Sequence, residues 1–370
     1  MIALSLLRPI LFTAMKIVSG IVFLLTIISA YGGHVNPQYF ALPAMMSLVL
    51  PYFAIMTMLL TIFWACFRKI IFTGLGVLTI FICMPPLSQA VPLGSKKSAG
   101  NDEDTFKIIS WNVCHSVDVR YPGSDGSRTV EYMLHSGADV ICLAELNNFS
   151  THEFNNTPQP LIDSLFAVYP YRKGTVNTDI KIMARYPIEE IQVPKKNKGK
   201  IDYLFFRVKF PNRKNLTVGV AHLYSYELSE QERQVVAEIK SIETAKESVK
   251  EFKGSIYSKL KEAFRMRSKD AEGLREIIDS IPLQEPLIIC GDFNDVPTSW
   301  AYNLIRGEDM RDAYAETNIG PAFTYNLHRF YFHIDQMLYR GNLEALRLDV
   351  GKIDSSDHYP LIGEFEFKKN

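Results

Sequence analysis

The sequence has 370 residues, with 40 basic and 40 acidic side chains and a hydrophobic fraction of 47%. This length allows one large domain or two ordinary ones. The zero net charge gives no support to a broad nucleic-acid-binding face, although a chain of zero net charge can still carry a local basic patch. The five cysteines form no CxxC pair and no Cys/His metal spacing, which argues against a structural zinc site.

The N-terminal quarter of the chain contains long runs without charge. No Lys, Arg, Asp or Glu occurs between Lys16 and Arg68, and none occurs over residues 70–95. A helix needs about 20 apolar residues to cross a bilayer. A membrane segment over residues 1–91 is therefore predicted, with residues 9–91 in contact with the lipid bilayer. Its three predicted transmembrane helices are Pro9–Tyr31, Leu42–Phe67 and Ile70–Val91.

Basic residues predict the orientation of this segment. By the positive-inside rule they belong on the cytoplasmic side, and they are Arg8, Lys16, Arg68 and Lys69. The loop at Gly33 and everything after the third span are then expected to be extracytoplasmic, in a multi-pass protein of the cell or inner membrane. A cleaved signal peptide is the alternative for residues 1–31. The two remaining spans would still anchor the chain.

Charged residues become frequent from Lys96, so a linker over residues 92–104 and a soluble domain over residues 105–370 are predicted. Short apolar strands follow one another in this domain with little helix between them, which favours antiparallel sheets over a doubly wound parallel sheet. The predicted strands are 106–110, 138–145, 179–183, 188–193, 203–210, 216–221, 288–290, 330–338 and a last one from 361.

Residues 228–281 break this pattern of strands. Apolar side chains recur there at helical spacing among Glu and Lys residues, which predicts two amphipathic helices interrupted at Gly254. Residues 228–264 are a candidate helical insertion. Two placements are open: the helices pack on a sheet face, or the first leans over the functional site or onto the bilayer.

Polar side chains close several of the apolar strands. Asp292 and Asn294 lie two apart at the mouth of one strand, so an extended backbone points both the same way. A carboxylate and an amide in this arrangement suit a hard cation and a phosphate oxygen, although the same residue types also cap ordinary turns. The other strands carry Asn112, Glu145, His222, Asp335, Asp357 and His358. So many polar strand ends would be unusual in a purely structural core.

The motifs around these residues resemble the endonuclease/exonuclease/phosphatase superfamily, which is DNase I-like, in their residues, order and approximate separations. They are Ser-Trp-Asn-Val at 110–113, the strand ending in Glu145, His222-Leu223, Gly-Asp-Phe-Asn at 291–294, Ile-Asp at 334–335 and Ser-Asp-His at 356–358. The resemblance covers about residues 105–370. It implies an α/β fold, a four-layered α/β sandwich of two mostly antiparallel sheets flanked by helices, with the site at one sheet edge.

The implied chemistry is hydrolysis of a phosphate ester with Mg²⁺ or Mn²⁺. Glu145 would hold the metal, Asn112 would assist through its amide oxygen, and Asp357 would complete the site. Asp292 would orient or deprotonate the attacking water, and Asn294 would hold a phosphate oxygen.

Two histidines complete the implied catalytic set. His358 would contact the phosphate and stabilise the charge that develops there, with Asp335 fixing its tautomer and orientation. His222 would be a second donor on the phosphate side or the acid for the leaving group. The metal would shield the phosphate charge, so that neutral pH suffices.

Two positions depart from the family pattern. Many nuclease members carry a second acidic residue just after the first Asn, whereas Val113-Cys114-His115 supplies none. Ala184 stands where a Ser is common. Both departures weaken the case for DNA as the substrate.

The leading interpretation is a membrane-anchored, metal-dependent phosphodiesterase or nuclease. The alternative is a lipid-directed phosphohydrolase, sphingomyelinase-like or phosphoinositide phosphatase-like, because the anchor would confine the site near head groups. A receptor or scaffold with a decayed catalytic fold would lack ligands, whereas every core position is filled. The expected partners are a phosphate-ester substrate, either nucleic acid or a phospholipid head group, and the bilayer; no protein partner is inferred.

Overall fold

The structure is a computed structural model that describes residues 2–98, 102–121, 123–175, 178–192, 203–211, 214–226, 242–327 and 330–368. Fourteen strands are described: β1 Thr105–Asn112, β2 Val140–Ala144, β3 Tyr171–Lys173, β4 Lys181–Ala184, β5 Ile188–Ile191, β6 Tyr203–Lys209, β7 Asn215–His222, β8 Leu287–Asp292, β9 Arg311–Asp312, β10 Tyr325–Leu327, β11 Phe330–Phe332, β12 Asp335–Arg340, β13 Leu343–Val350 and β14 Leu361–Phe367.

Most of these strands form two six-stranded sheets. The first sheet has the order β13-β14-β1-β2-β4-β3, and the second has the order β5-β6-β7-β8-β12-β9. Pairs β1–β2 and β7–β8 are parallel, and the other pairings in the described part of the chain are antiparallel. The prediction of mostly antiparallel sheets is confirmed.

Alternation of side chains along the strands explains the layers. In β8, Ile288 belongs to the core between the sheets, whereas Ile289 contacts the helices on the outer face of the second sheet. Those helices are α7 Ile242–Ser280 and α8 Trp300–Arg306. The first sheet is covered in the same way by α5 Ser127–His135 and α6 Gln159–Val168. A short helix, α9 Ala313–Thr317, follows β9. The predicted four-layered sandwich is therefore confirmed.

Two predicted elements differ from the structure. The break at Gly254 is wrong, because α7 runs unbroken from Ile242 to Ser280; residues 228–241 of the candidate insertion lie outside the described residues. The single strand over Phe330–Leu338 is also wrong. The backbone amides of Ile334 and Asp335 donate to the Thr324 hydroxyl at 3.1 and 3.0 Å. This contact separates β11, which pairs with β10 in a two-stranded ribbon, from β12 of the second sheet.

The N-terminal helices are α1 Ile2–Tyr31, α2 Ala41–Met46, α3 Leu50–Cys66 and α4 Ile70–Ala90. Two stretches of the described chain, Pro9–His34 and Ala41–Cys66, are long and apolar enough to cross a membrane. The third predicted span bends by 59° between Ile82 and Met84, so it counts as a span only if the bent helix is taken as one. Pro85 and Pro86 explain the bend, since proline removes a backbone donor and clashes with the preceding turn.

The loop between α1 and α3 contacts the domain that follows it in the chain. The side-chain amides of Asn36 and Gln38 donate to Glu272 of α7 at 3.2 and 3.0 Å. The Thr298 hydroxyl donates to the Ser47 carbonyl at 3.3 Å. This loop and the domain therefore lie on the same side of the N-terminal helices.

Candidate active site

Strand register brings the predicted residues to one edge of the sandwich. In the first sheet Asn112 pairs with Ala144, the residue before Glu145. In the second sheet His222 pairs with Asp292, and Asp335 also lies opposite Asp292. Because parallel strands end at the same edge, side chains that are distant in sequence meet there.

His358 stands between two carboxylates in the buried part of this edge. Its Nδ1 lies 2.8 Å from Oδ2 of Asp335, and its Nε2 lies 3.6 Å from Oδ2 of Asp292. Burial alone would lower the pKa of His358, but the two carboxylates outweigh it and raise that pKa well above its usual range. Burial raises the pKa of Asp292. Asp335 thus lies within hydrogen-bond distance of His358 Nδ1, and its orienting role stays a prediction.

Asn112 joins the two sheets across the site. Its Nδ2 donates to Glu145 Oε1 at 2.9 Å and to Asp292 Oδ2 at 3.1 Å. Its Oδ1 accepts the backbone N–H of Cys114 at 3.1 Å, which sets the orientation of the amide. The amide nitrogen, and not the oxygen, therefore faces the carboxylates in this structure. The predicted role of Asn112 as a metal ligand stays a prediction.

His222 has a partner that sequence reasoning missed. Its Nδ1 lies 3.0 Å from Oδ2 of Asp179, and its Nε2 lies 3.6 Å from Oε1 of Glu145. Burial would lower the pKa of His222, but Asp179 in the first place, and Asp292 and Glu145 with it, raise that pKa. The sequence pattern places Asp179 only at the start of a predicted strand. The only signal in the sequence for this partner is that Asp179 places a carboxylate at the start of an apolar strand, where the motifs give it no function.

The loops behind the site hold the remaining predicted residues. The backbone N–H of Asn294 donates to Asp292 Oδ1 at 2.7 Å, and its Nδ2 donates to the Leu223 carbonyl at 2.9 Å. The Ser356 hydroxyl lies 2.8 Å from the Asn112 carbonyl and 3.3 Å from Asp357 Oδ1. These contacts place Asn294 and Asp357 at the same edge as Asp292 and Asn112.

Left-handed backbone occurs repeatedly around this edge. Glu145 has φ 56°, Asn294 has φ 53°, and Cys114, His115 and Ser116 have φ between 48° and 56°. Residues other than glycine adopt this region at an energetic cost, least for Asn, and such residues cluster at functional sites. Glu145 combines this left-handed backbone with the carboxylate that is the predicted metal ligand.

Glu145→Gly is expected to be more stable to unfolding than Glu145→Ala by about 1 kcal/mol, because only glycine adopts this φ without cost. Both variants lose the carboxylate, so their difference isolates the backbone. Denaturant unfolding of the full chain in detergent would measure it. Glu131, exposed in α5, is the matched control: there Ala should be the more stable replacement by about 1 kcal/mol. Equal stabilities at position 145 would contradict the backbone argument.

Comparison with known proteins identifies the fold family. The sequence model of the Endonuclease/Exonuclease/phosphatase family matches residues 109–358, more than half of the chain. The chain belongs to the endonuclease/exonuclease/phosphatase family. Members of this family are phosphoester hydrolases, and they usually use a divalent metal. A second model, of a domain of unknown function, matches residues 10–90. No curated protein matches the chain.

Solved structures with the endonuclease/exonuclease/phosphatase fold are similar at low identity. An endonuclease/exonuclease/phosphatase from Beutenbergia cavernae is 17% identical, covers 72% of each chain and has a TM-score of 0.44. Humanized D. rerio TDP2 is 18% identical over 71% of this chain and 99% of its own, with a TM-score of 0.47. Sphingomyelinase C from Streptomyces griseocarneus is 14% identical over 70% and 99%, with a TM-score of 0.41.

Proposed function

We propose that this protein is a metal-dependent phosphodiester hydrolase held at a membrane by its N-terminal helices. The observation that carries the proposal is one continuous series of polar contacts across the ends of both sheets. The series runs Asp335, His358, Asp292, Asn112, Glu145, His222 and Asp179. Isolated turn caps would not be connected in this way, and the arrangement provides acids, bases and cationic donors around one point.

The donor set fits a hard divalent cation such as Mg²⁺ or Mn²⁺. The Glu145 side chain is 28% exposed at the mouth of the site, so an ion can reach its carboxylate. Asp357 would supply a second carboxylate, and Asn112 would hold Glu145 in place through its amide. Oxygen donors of this kind are what Mg²⁺ and Mn²⁺ prefer. When bound, the ion supplies Lewis-acid shielding of the phosphate charge.

Asp292, Asp335 and His358 form a second cluster of ligand atoms, which lie within 4.8 Å of one another. The close pairing of His358 Nδ1 with Asp335 favours a catalytic over a metal-binding role for this cluster. With Nδ1 held, Nε2 of His358 donates to a phosphate oxygen and stabilises its developing charge. Asp292, adjacent to it, orients the attacking water and accepts its proton.

His222 acts on the other side of the phosphate. Asp179 holds its Nδ1, so its Nε2 faces Glu145 and the open part of the site. Because the carboxylates raise the pKa of His222, they favour its protonated form, which can give its proton to a departing oxygen. The chain thus offers a base at Asp292 and an acid at His222 for in-line displacement at phosphorus.

Hydrolysis of bis(p-nitrophenyl) phosphate by the full chain in detergent tests the proposal. We expect turnover with Mg²⁺ or Mn²⁺, loss of turnover with EDTA, and slower cleavage of the monoester p-nitrophenyl phosphate. Mn²⁺ binding, measured separately by calorimetry, should weaken by about tenfold or more in Glu145→Gln, by analogy with the cost of disturbing other metal sites. Turnover that persists in EDTA, or Mn²⁺ binding unchanged in the variant, would refute the metal assignment.

A further inference from the structure

The chain is fixed to the domain immediately after it leaves the N-terminal helices. Helix α4 ends at Ala90. The N–H of Gly94 then donates to the Asn318 carbonyl at 2.7 Å, and the N–H of Gly320 donates to the Pro92 carbonyl at 2.9 Å. Between these two bonds Leu93 pairs with Ile319 in an antiparallel bridge. Part of the predicted linker is thus bound to the domain.

This attachment limits the distance between Ile319 and the membrane. Leu93 follows Ala90 by three residues, and an extended chain spans about 3.3–3.6 Å per residue, so Leu93 lies within about 11 Å of the end of α4. The polar layer of a bilayer is about 5–7 Å thick on each side of the hydrocarbon. If α4 crosses the bilayer, the Leu93–Ile319 bridge therefore lies in or directly against the head-group layer.

Large apolar side chains are exposed at this place. Leu93 is 82% exposed and Ile319 is 75% exposed. The chain continues from Ile319 to Phe323, which is 48% exposed and packs edge-on against Tyr331, 57% exposed, with ring centroids 5.9 Å apart. We call these four side chains the apolar rim. The two exposed pairs, Leu93 with Ile319 and Phe323 with Tyr331, are linked by the short segment from Ile319 to Phe323. Exposed apolar groups of this kind indicate a contact with a membrane or a partner, and Tyr is favoured at the level of head groups.

The apolar rim is joined directly to the candidate active site. Tyr331 belongs to β11, whose partner strand β10 begins with Tyr325. Tyr325 forms a β-bridge with His358, and its ring lies 5.0 Å from the imidazole. The Thr324 hydroxyl accepts the backbone N–H of Asp335, and the Thr324 carbonyl accepts the backbone N–H of Tyr359 at 2.7 Å. Residues 319–327 and 330–332 therefore carry three of the four rim side chains together with the supports of His358.

We propose that the apolar rim lies in the head-group layer of the bilayer that holds the N-terminal helices, and that the site hydrolyses phosphate esters of the phospholipids there. Binding of nucleic acid depends on basic side chains that neutralise its phosphates. The chain has no excess of basic residues that would favour such a substrate. The hydrolytic chemistry rests on the proposed function; the position of the rim does not.

A fluorescence experiment tests the position of the rim without any enzyme activity. In a Cys66→Ser/Cys114→Ser background, Ile319→Cys and Phe323→Cys would be labelled and the full chain placed singly in phosphatidylcholine nanodiscs with head-group nitroxide lipid. Leu283→Cys is the control, since Leu283 is 60% exposed and lies before β8, at the opposite end of that strand from Asp292. We expect quenching several-fold stronger at 319 and 323 than at 283. Equal quenching at the three positions would overturn the proposal.

The alternative to the bilayer as the partner of the apolar rim is a second copy of this chain. Protection of the labels that grows with protein concentration in detergent, without quenching in single-copy nanodiscs, would show that occupant and would also overturn the proposal. Quenching at 319 and 323 in an inactive protein would leave the rim in place and refute only the proposed function.

A second experiment tests the substrate class. Ile319→Glu and Phe323→Glu are expected to lower hydrolysis of phospholipid vesicles by about tenfold or more. Each replaces an apolar side chain that the proposal buries in the head-group layer, so the rim binds the membrane less tightly. Hydrolysis of bis(p-nitrophenyl) phosphate should stay unchanged in both, and Leu283→Glu should affect neither substrate. Plasmid cleaved while lipid stays intact would reject phospholipid as the substrate. Wild-type lipid hydrolysis in the rim variants would reject the role of the apolar rim in bringing the site to the lipid.

Discussion

Asp292→Asn is expected to lower kcat/KM for a phosphodiester by about 10³-fold or more, the range seen when a general base is removed from a preorganised site. The substitution preserves the size of the side chain. It removes the negative charge that faces His358 Nε2 at 3.6 Å and receives the Asn112 amide at 3.1 Å. It also removes the group proposed to accept the proton of the attacking water.

His358→Ala should have an effect of similar size. The two side chains act on one phosphate, so Asp292→Asn/His358→Ala should lose little more than either single variant. Asp335→Asn tests a positioning role. It keeps His358 but removes the carboxylate at 2.8 Å that holds Nδ1. The pH profile of kcat should therefore move in Asp335→Asn, which a merely structural role for Asp335 would not cause.

Steady-state kinetics on bis(p-nitrophenyl) phosphate, with unfolding curves for each variant, would measure these effects. Asp163→Asn is a suitable control, because Asp163 is exposed on α6 and lies outside the site. Turnover close to that of the wild type in a folded Asp292→Asn or His358→Ala variant would refute the catalytic assignment.

Arg267→Met is expected to destabilise the domain by about 3–5 kcal/mol, because it leaves a buried carboxylate without its counter-charge. Nη1 of Arg267 lies 2.9 Å from Oδ2 of Asp295, and the two side chains are 0% and 2% exposed. The guanidinium also donates from Nε to the Tyr224 carbonyl at 3.0 Å and stacks on the Tyr226 ring at 4.5 Å. Burial raises the pKa of Asp295, and Arg267 opposes that shift.

The loss of stability in Arg267→Met should come from the unpaired Asp295 carboxylate and not from the loss of the ion pair itself. Arg267→Met/Asp295→Leu should therefore be more stable than Arg267→Met alone, since replacing both partners of a buried ion pair by apolar residues is often neutral. Arg347, paired with Asp349 on the surface, is the matched control. Arg347→Met should change stability by less than about 1 kcal/mol. Denaturant unfolding in detergent measures all three; a double variant no more stable than Arg267→Met would contradict this account.

The same ion pair also connects a helix to the site. Arg267 lies on α7, and Asp295 directly follows Asn294, whose backbone N–H binds Asp292. α7 in turn receives the loop between α1 and α3 through Glu272. The N-terminal segment and the loop that follows β8 therefore share one supporting helix.

Much of the fold and most of the site could be predicted from the sequence. Apolar strands ending in Asn112, Glu145, His222 and Asp292 are local patterns, because the alternation of a strand and the residue that follows it lie within a few positions of the chain. The strand pattern predicted antiparallel sheets, and the resemblance of the motifs to the endonuclease/exonuclease/phosphatase superfamily implied the four-layered sandwich. The apolar N-terminal runs were equally local, although the bend at Pro85 and Pro86 reduced three predicted spans to two straight ones and a bent one.

Only the tertiary structure decided how these residues are supported. Asp179 faces His222, Arg267 faces Asp295, and Thr324 receives the Asp335 amide, and in each case the partner comes from a separate part of the chain. Such partners depend on strand register and on which loops cross the sheet edge, and these are set by packing between distant segments. The conformational preferences of short sequence segments do not determine that packing. The sequence by itself thus determined which polar groups end the apolar strands, and the tertiary structure decided which residues hold those groups in position.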